Sequence, residues 1–259
     1  MSEPALSRIP GLRGEQVTSD TAAQAATRLA RTVASHLRRR LAALTEVHLA
    51  LSGGSSARLL SAALAAEPLL SDAEWAAVQV WLVDERCVAD EDPRSNARLL
   101  RELLWPGLPL PAGHLHPMPV LQADGAPCYE RELVAALGAR IQAEERRLDA
   151  VILGMGPDGH TAGLFPETPA LDEGERLVVV NDGERVAPPR PRMTMTYPII
   201  NSAAFIGLLV TGAEKRPALA AVAANPQDFH NRPVAGVVPG AASSMVWFLD
   251  RAALPFLPS

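Results

Sequence analysis

VILGMGPDGHTAGLFP, residues 151–166, joins a short run of β-forming residues to a glycine-dense loop that presents Asp158, His160 and Thr161 before Pro166 punctuates it. Gly154, Gly156 and Gly159 match the spacing of the dinucleotide fingerprint GxGxxG. That fingerprint needs a long helix after the loop, so that free N–H groups and the helix dipole receive a pyrophosphate. Here Pro157 sits inside the motif, and Pro166 follows Gly159 by seven residues, room for about two helical turns. The dinucleotide reading is therefore rejected, and the stretch reads as a strand feeding an active-site loop. A lone histidine more often fills a buried corner. Asp158 two positions before His160, with glycines flanking the pair, instead lets both side chains project from an exposed bend, so His160 is read as catalytic.

Outward from this loop, strands alternate with helical segments. Residues 1–16 read as an irregular lead-in broken by Pro4, Pro10, Gly11 and Gly14. Apolar residues from Ala22 to Leu44 recur at three- and four-residue steps and predict an amphipathic helix, with its arginines mostly on the solvated face. VHLALSGGSS, residues 47–56, predicts a buried strand turning into a helix at Ser52, Gly53, Gly54 and Ser55. Free N–H groups, hydroxyls and a positive dipole suit that turn to a phosphate, although it lacks a P-loop lysine; an ordinary turn with serine caps is the alternative. VQVWLVDER, residues 78–86, predicts a second strand ending in Asp84, Glu85 and Arg86. Ligands of open parallel sheets lie beyond the C-terminal strand ends, which puts this triplet on the rim of the serine loop. Arg86 is a phosphate candidate, the two acids read as a salt-bridged cap, and Asn96, near the start of the next helix, is placed to face the site.

Pro127 to Leu148 predict a long helix and Asp149 to Leu153 a third strand; LVVV at 177–180 is a further short strand. Arg190 and Arg192 lie in a basic, proline-rich segment and are surface residues or anion ligands. FIGLLVTGAEKRPAL, residues 205–219, repeats the strand, glycine, helix layout, with Lys215 in the first helical turn. A cation there opposes the macrodipole and invites an anionic ligand between them. SSMVWFLD, residues 243–250, is the last strand. The alternation predicts one α/β domain over residues 1–259, a mainly parallel Rossmann-like β-sheet with helices on both faces.

Composition sets the bounds. Of 259 residues 48% are hydrophobic, and no apolar run reaches membrane-spanning length. A net charge of -5 offers no general field for nucleic acid. The two cysteines, Cys87 and Cys128, lack CxxC spacing and predict a reducing, cytoplasmic setting with structural thiols. His114 and His116 form an HxH pair in a proline-punctuated connection without a nearby acidic or thiol partner in sequence, so no metal and no other cofactor is expected. The number of copies is left as a monomer or a small homo-oligomer.

SGGSS at 52–56, DER at 84–86, SNARLLRELL at 95–104, GMGPDGHTAGLFP at 154–166, PRMTMTYPIIN at 191–201 and TGAEK at 211–215 together resemble the bacterial 6-phosphogluconolactonase family, in the family's order over nearly the whole chain. The resemblance implies the fold of glucosamine-6-phosphate deaminase and ribose-5-phosphate isomerase. It also implies a cofactor-free hydrolase of the oxidative pentose phosphate pathway acting on 6-phospho-D-glucono-1,5-lactone. By the same likeness His160 is the general base, Asp158 orients it or contacts sugar hydroxyls, and Ser52, Gly53, Gly54, Ser55, Arg86 and Lys215 recognise phosphate. Arg192 helps hold the substrate, and Asn96 or backbone N–H groups face the oxyanion. Gly163 and the PPRPR segment are less typical of the family.

The rival readings each miss a part. A serine hydrolase needs GxSxG, which is absent. An amino-sugar-phosphate deaminase or sugar-phosphate isomerase needs a carboxylate base, for which Asp84 is available, but HTAGLFP favours the lactonase. A non-catalytic sugar-phosphate sensor needs a DNA-binding module, and only one amphipathic helix precedes residue 47.

Overall fold

The computed structural model describes residues 8–138, 147–188 and 191–255. Ten strands alternate with seven helices in the described residues: β1 Glu15–Ser19, α1 Ala22–Leu41, β2 Val47–Leu51, α2 Gly54–Ala65, α3 Asp72–Trp75, β3 Val78–Leu82, β4 Asp84–Arg86, α4 Asn96–Leu104, β5 Leu115–His116, α5 Gly125–Gly138, β6 Ala150–Leu153, β7 Val178–Asn181, β8 Arg192–Met195, α6 Tyr197–Ser202, β9 Phe205–Val210, α7 Arg216–Ala224 and β10 Ser244–Asp250. Seven strands form one sheet in the order β1-β10-β9-β6-β2-β3-β5, and every pairing in it is parallel.

Local chemistry explains the elements. Thr21 caps α1 with a complete capping box through Gln24, and Arg38, Arg39 and Arg40 complement the dipole at its other end. Strands buried on both faces read as continuous apolar runs, as in β2 (VHLAL) and β9 (FIGLLV), both wholly buried. Gly207 lets α1 approach this layer, because a Cβ there would lie 2.9 Å from Leu29 Cδ1. Asp149 ties the start of β6 to its neighbours: its carboxylate accepts from Arg40 Nε and from the His48 backbone N–H.

Four expectations change. The lead-in is not irregular to residue 16, since Glu15 and Gln16 open β1, an edge strand on β10. The glycines that break a helix there turn the chain into the strand, with Gly11 and Gly14 at positive φ. The run at 78–86 is two strands: β3 stays in the parallel sheet, and β4 departs at Val83 to join a separate antiparallel sheet of order β4-β8-β7. The 177–180 strand, found as β7, belongs to this second sheet, as does Arg192 at the start of β8. The proline-punctuated connection contains β5, and His116 has a carboxylate neighbour after all: Glu132 of α5 lies 2.6 Å from Nδ1. Its ring stacks on Trp81 at 3.8 Å, so the pair's second histidine is packing, and His114 Nδ1 is spent on the Val78 carbonyl. Arg190 and the part of the predicted 127–148 helix at residues 139–146 lie outside the described residues.

Because all seven strands run the same way, their C-terminal ends share one edge. β9, β6, β2 and β3 are adjacent there. The four loops leaving them carry Lys215, the 154–166 stretch, the serine turn and Asp84–Arg86.

Candidate active site

These loops form an open cleft lined by Ser52–Ser56, Asp84, Arg86, Asn96, Gly154–Pro157, His160–Ala162 and Lys215. Of the ten residues expected in the site from sequence, eight line it; exposed Asp158 and buried Arg192 are outside that lining.

The serine turn delivers an uncapped helix. Gly53 is the N-cap of α2 and makes no side-chain capping bond, so the first N–H groups of α2 point to the cleft without an intrahelical partner. Ser52 Oγ is buried without a hydrogen-bond partner among the described residues. Gly53 is required, since a Cβ there would lie on the Asn96 side chain. Asn96 donates from Nδ2 to the Asp84 carbonyl at 2.9 Å, while its buried Oδ1 has no partner among the described residues. The face it turns on Gly53 is therefore an acceptor.

The acidic triplet divides its labour. Glu85 is buried and accepts from the backbone N–H groups of Arg86, Asn96 and Ala97 and from Ser95 Oγ, so it satisfies the first two N–H groups of α4, whose N-cap is Ser95. Burial raises its pKa. Asp84 faces the cleft; burial raises its pKa too, against the pull of Arg86, Arg192 and His160. Arg86 is steered by a bond from Nη1 to the Arg94 carbonyl. Lys215 is the N-cap residue of α7, and its Nζ lies 4.0 Å from Glu214.

The 154–166 loop folds as a set of turns. Gly159 is at φ 85°, and the Gly156 N–H donates to the His160 carbonyl. Asp158 Oδ1 lies 2.5 Å from His160 Nδ1. Burial pushes the Asp158 pKa up, but the hydrogen bond and charge of His160 outweigh it and hold the group below its ordinary value. An ionised Asp158 makes Nδ1 the donor and leaves the Nε2 lone pair free. Sequence reasoning did not single out Phe165, whose ring stacks on His160 at 4.5 Å. It also missed Thr194 and Asn181, which grip Gly163: Gly163 N–H donates to Thr194 Oγ1 and its carbonyl accepts from Asn181 Nδ2. The close fit under Thr194, 2.8 Å from a built Cβ, explains the glycine at 163. Among the described residues no cluster of three or more His, Cys, Asp or Glu is placed to hold a metal ion.

A parallel α/β sheet whose strand-end loops bring a histidine-carboxylate pair to an uncapped helix and two cations defines the class: an α/β protein with a site for a small anionic molecule. The profile of the family described as glucosamine-6-phosphate isomerases/6-phosphogluconolactonase matches residues 20–247. The chain belongs to this family. It is 37% identical to a 6-phosphogluconolactonase of Synechocystis sp., over 79% of this chain and 82% of that protein. It is 38% identical to the GDH/6PGL endoplasmic bifunctional protein of Homo sapiens over 79% of this chain, but spans only 26% of that relative's length. The crystal structure of a 6-phosphogluconolactonase from Shewanella baltica has the same fold, with a TM-score of 0.78, 24% identity and coverage of 93% of this chain and 99% of that one.

Proposed function

We propose that this protein hydrolyses 6-phospho-D-glucono-1,5-lactone to 6-phospho-D-gluconate, the second step of the oxidative pentose phosphate pathway, with residues 1–259 acting as one cytoplasmic domain, as a monomer or small homo-oligomer. The observation that carries the reading is the 2.5 Å pairing of Asp158 with His160 in a cleft that also holds an uncapped helix, Arg86 and Lys215. A δ-lactone is an activated ester, for which a positioned base acting on water suffices.

In this reading His160 Nε2 removes a proton from water as its oxygen attacks C1. The carbonyl π bond opens to a tetrahedral oxyanion. Collapse breaks the bond from C1 to the ring oxygen, and the imidazolium returns the proton to that oxygen. The product is a carboxylic acid, which ionises, and a free hydroxyl. The serine turn, Arg86 and Lys215 take the phosphate, and so fix C1 against the base.

Asp84 keeps the proton-shuttling deaminase or isomerase reading as the alternative, because a buried carboxylate with a raised pKa lines the same cleft. One experiment separates the two: freshly generated 6-phosphogluconolactone and glucosamine-6-phosphate are each supplied to wild type and to His160→Ala. Lactone turnover well above the spontaneous rate, falling on the order of 10²-fold or more in the variant, supports hydrolysis with His160 as base. No acceleration of the lactone, with turnover of the amino sugar, replaces it with the alternative.

A further inference from the structure

Arg192 resembles a substrate ligand in sequence and lies outside the lining of the cleft. It opens β8, paired across the small sheet with Arg86 of β4, and is only 5% exposed. Its guanidinium carbon lies 5.9 Å from the centre of the Phe165 ring. That ring is itself buried and stacks on His160 with planes inclined by 25°. Imidazole and guanidinium thus both lie against the Phe165 ring, the imidazole at the cleft and Arg192 outside its lining. Its Nη1 has no hydrogen-bond partner among the described residues, and Asp84 is the buried carboxylate that feels its charge.

We propose that Arg192 is a positioning residue and not a substrate ligand: it backs Phe165 against the His160 ring and balances Asp84 from the inner side of the cleft. The proposal rests on the reading of His160 as the base. Two constraints then hold the imidazole, Asp158 in its plane and Phe165 on its face, and a ring so fixed presents Nε2 in one direction. The cation also acts at a distance. The charged groups around His160 include Asp158 on its own loop, Asp84 and Arg86 on β4, Lys215 beyond β9, Arg192 on β8 and Arg232, whose side chain packs on Gly159. Removing Arg192 takes away a positive charge behind the ring, which favours imidazolium, and so moves the pH at which the base becomes neutral upward.

The test is the pH dependence of kcat and KM for lactone hydrolysis by wild type, Arg192→Met, Arg192→Lys and Phe165→Leu, each normalised to the folded fraction by near-ultraviolet circular dichroism. Expected for Arg192→Met is a KM within about twofold of wild type, a kcat lower by about tenfold, and an acid limb of kcat/KM displaced upward by about one pH unit, as a unit charge about 10 Å away exerts at an effective dielectric of about 20. Arg192→Lys restores the charge and returns the limb. Phe165→Leu lowers kcat by about tenfold with KM retained. A rise in KM of about tenfold or more in Arg192→Met with an unmoved limb makes Arg192 a ligand and overturns the proposal, as do normalised parameters equal to those of wild type. His160→Ala, run alongside, tests the base independently: if it alone collapses while Arg192→Met and Phe165→Leu stay normal, the base stands and the positioning role falls.

Discussion

Asp158 Oδ1 accepts from His160 twice, at 2.5 Å from ring Nδ1 and at 3.1 Å from the backbone N–H. One carboxylate therefore fixes both where the imidazole stands and which nitrogen carries its proton. Asparagine keeps the size and loses the obligate acceptor, so either ring nitrogen can then carry the proton. Asp158→Asn is expected to lower kcat on the order of 10- to 100-fold with KM little changed, read in the lactone assay. The pH sign follows from the depressed pKa of Asp158. Its pairing stabilises the fold fully above the ordinary carboxylate pKa of about 4 and is lost as pH falls through the lower folded value. The difference in Tm between wild type and Asp158→Asn, measured by thermal melts across pH, is expected to shrink below about pH 4.

Glu85 holds three backbone N–H groups and one hydroxyl in a buried place. Glutamine there turns an NH2 toward groups that are themselves donors, which leaves buried N–H groups unsatisfied. Glu85→Gln is expected to cost about 3 kcal/mol, a fall in Tm of roughly 6–10 °C in a chain of this size. Calorimetry checks this, and because the same carboxylate anchors Arg86 and Asn96, the surviving folded enzyme is expected to show a raised KM.

The alternation of apolar runs and amphipathic segments made the parallel sheet readable, because strands buried on both faces cannot carry polar residues at alternate positions. The cleft was readable for a related reason: Ser52, Arg86, His160 and Lys215 each follow a predicted strand, and parallel strands end on one edge. What sequence did not expose is the small antiparallel sheet. Its strands β4, β7 and β8 are three or four residues long, and an unbroken VQVWLVDER hides the departure at Val83. With that sheet unseen, nothing in the sequence showed that Arg192 pairs with Arg86, which sets both side chains on one face of the small sheet, or that it is buried against Phe165. Phe165 itself carried no signal, since an apolar residue before proline looks like any loop anchor.

Ala162 lines the cleft at φ 51°, a left-handed conformation that costs a residue with a Cβ about 1–2 kcal/mol. Gly163 beside it is held by Thr194 and Asn181, so the turn has no freedom to relax. Ala162→Gly is expected to raise stability by up to about 1 kcal/mol once the entropy of the unfolded chain is subtracted. Ala162→Val, branched at Cβ and projecting into the cleft, is expected to lower both Tm and kcat/KM. Opposite signs for the two variants in paired melts are the check; a loss of stability in Ala162→Gly would remove the strain from the account.

The anion end of the cleft is testable without turnover. Gly53 leaves the first N–H groups of α2 uncapped, and Arg86 and Lys215 line the same cleft, so inorganic phosphate alone has partners there. A ligand that binds only the folded state at ten times its Kd adds about 1.4 kcal/mol, a rise in Tm of roughly 3–5 °C here. Wild type is expected to gain that stability as phosphate is titrated at constant ionic strength, and sulfate is expected to substitute. Lys215→Gln and Arg86→Gln are expected to lose most of the gain and to raise KM on the order of tenfold each while kcat falls less, because they hold the end of the substrate remote from C1. His160→Ala is expected to keep the full phosphate response. If His160→Ala loses it and Lys215→Gln does not, the anion sits at the histidine end and the orientation of substrate in the cleft is reversed.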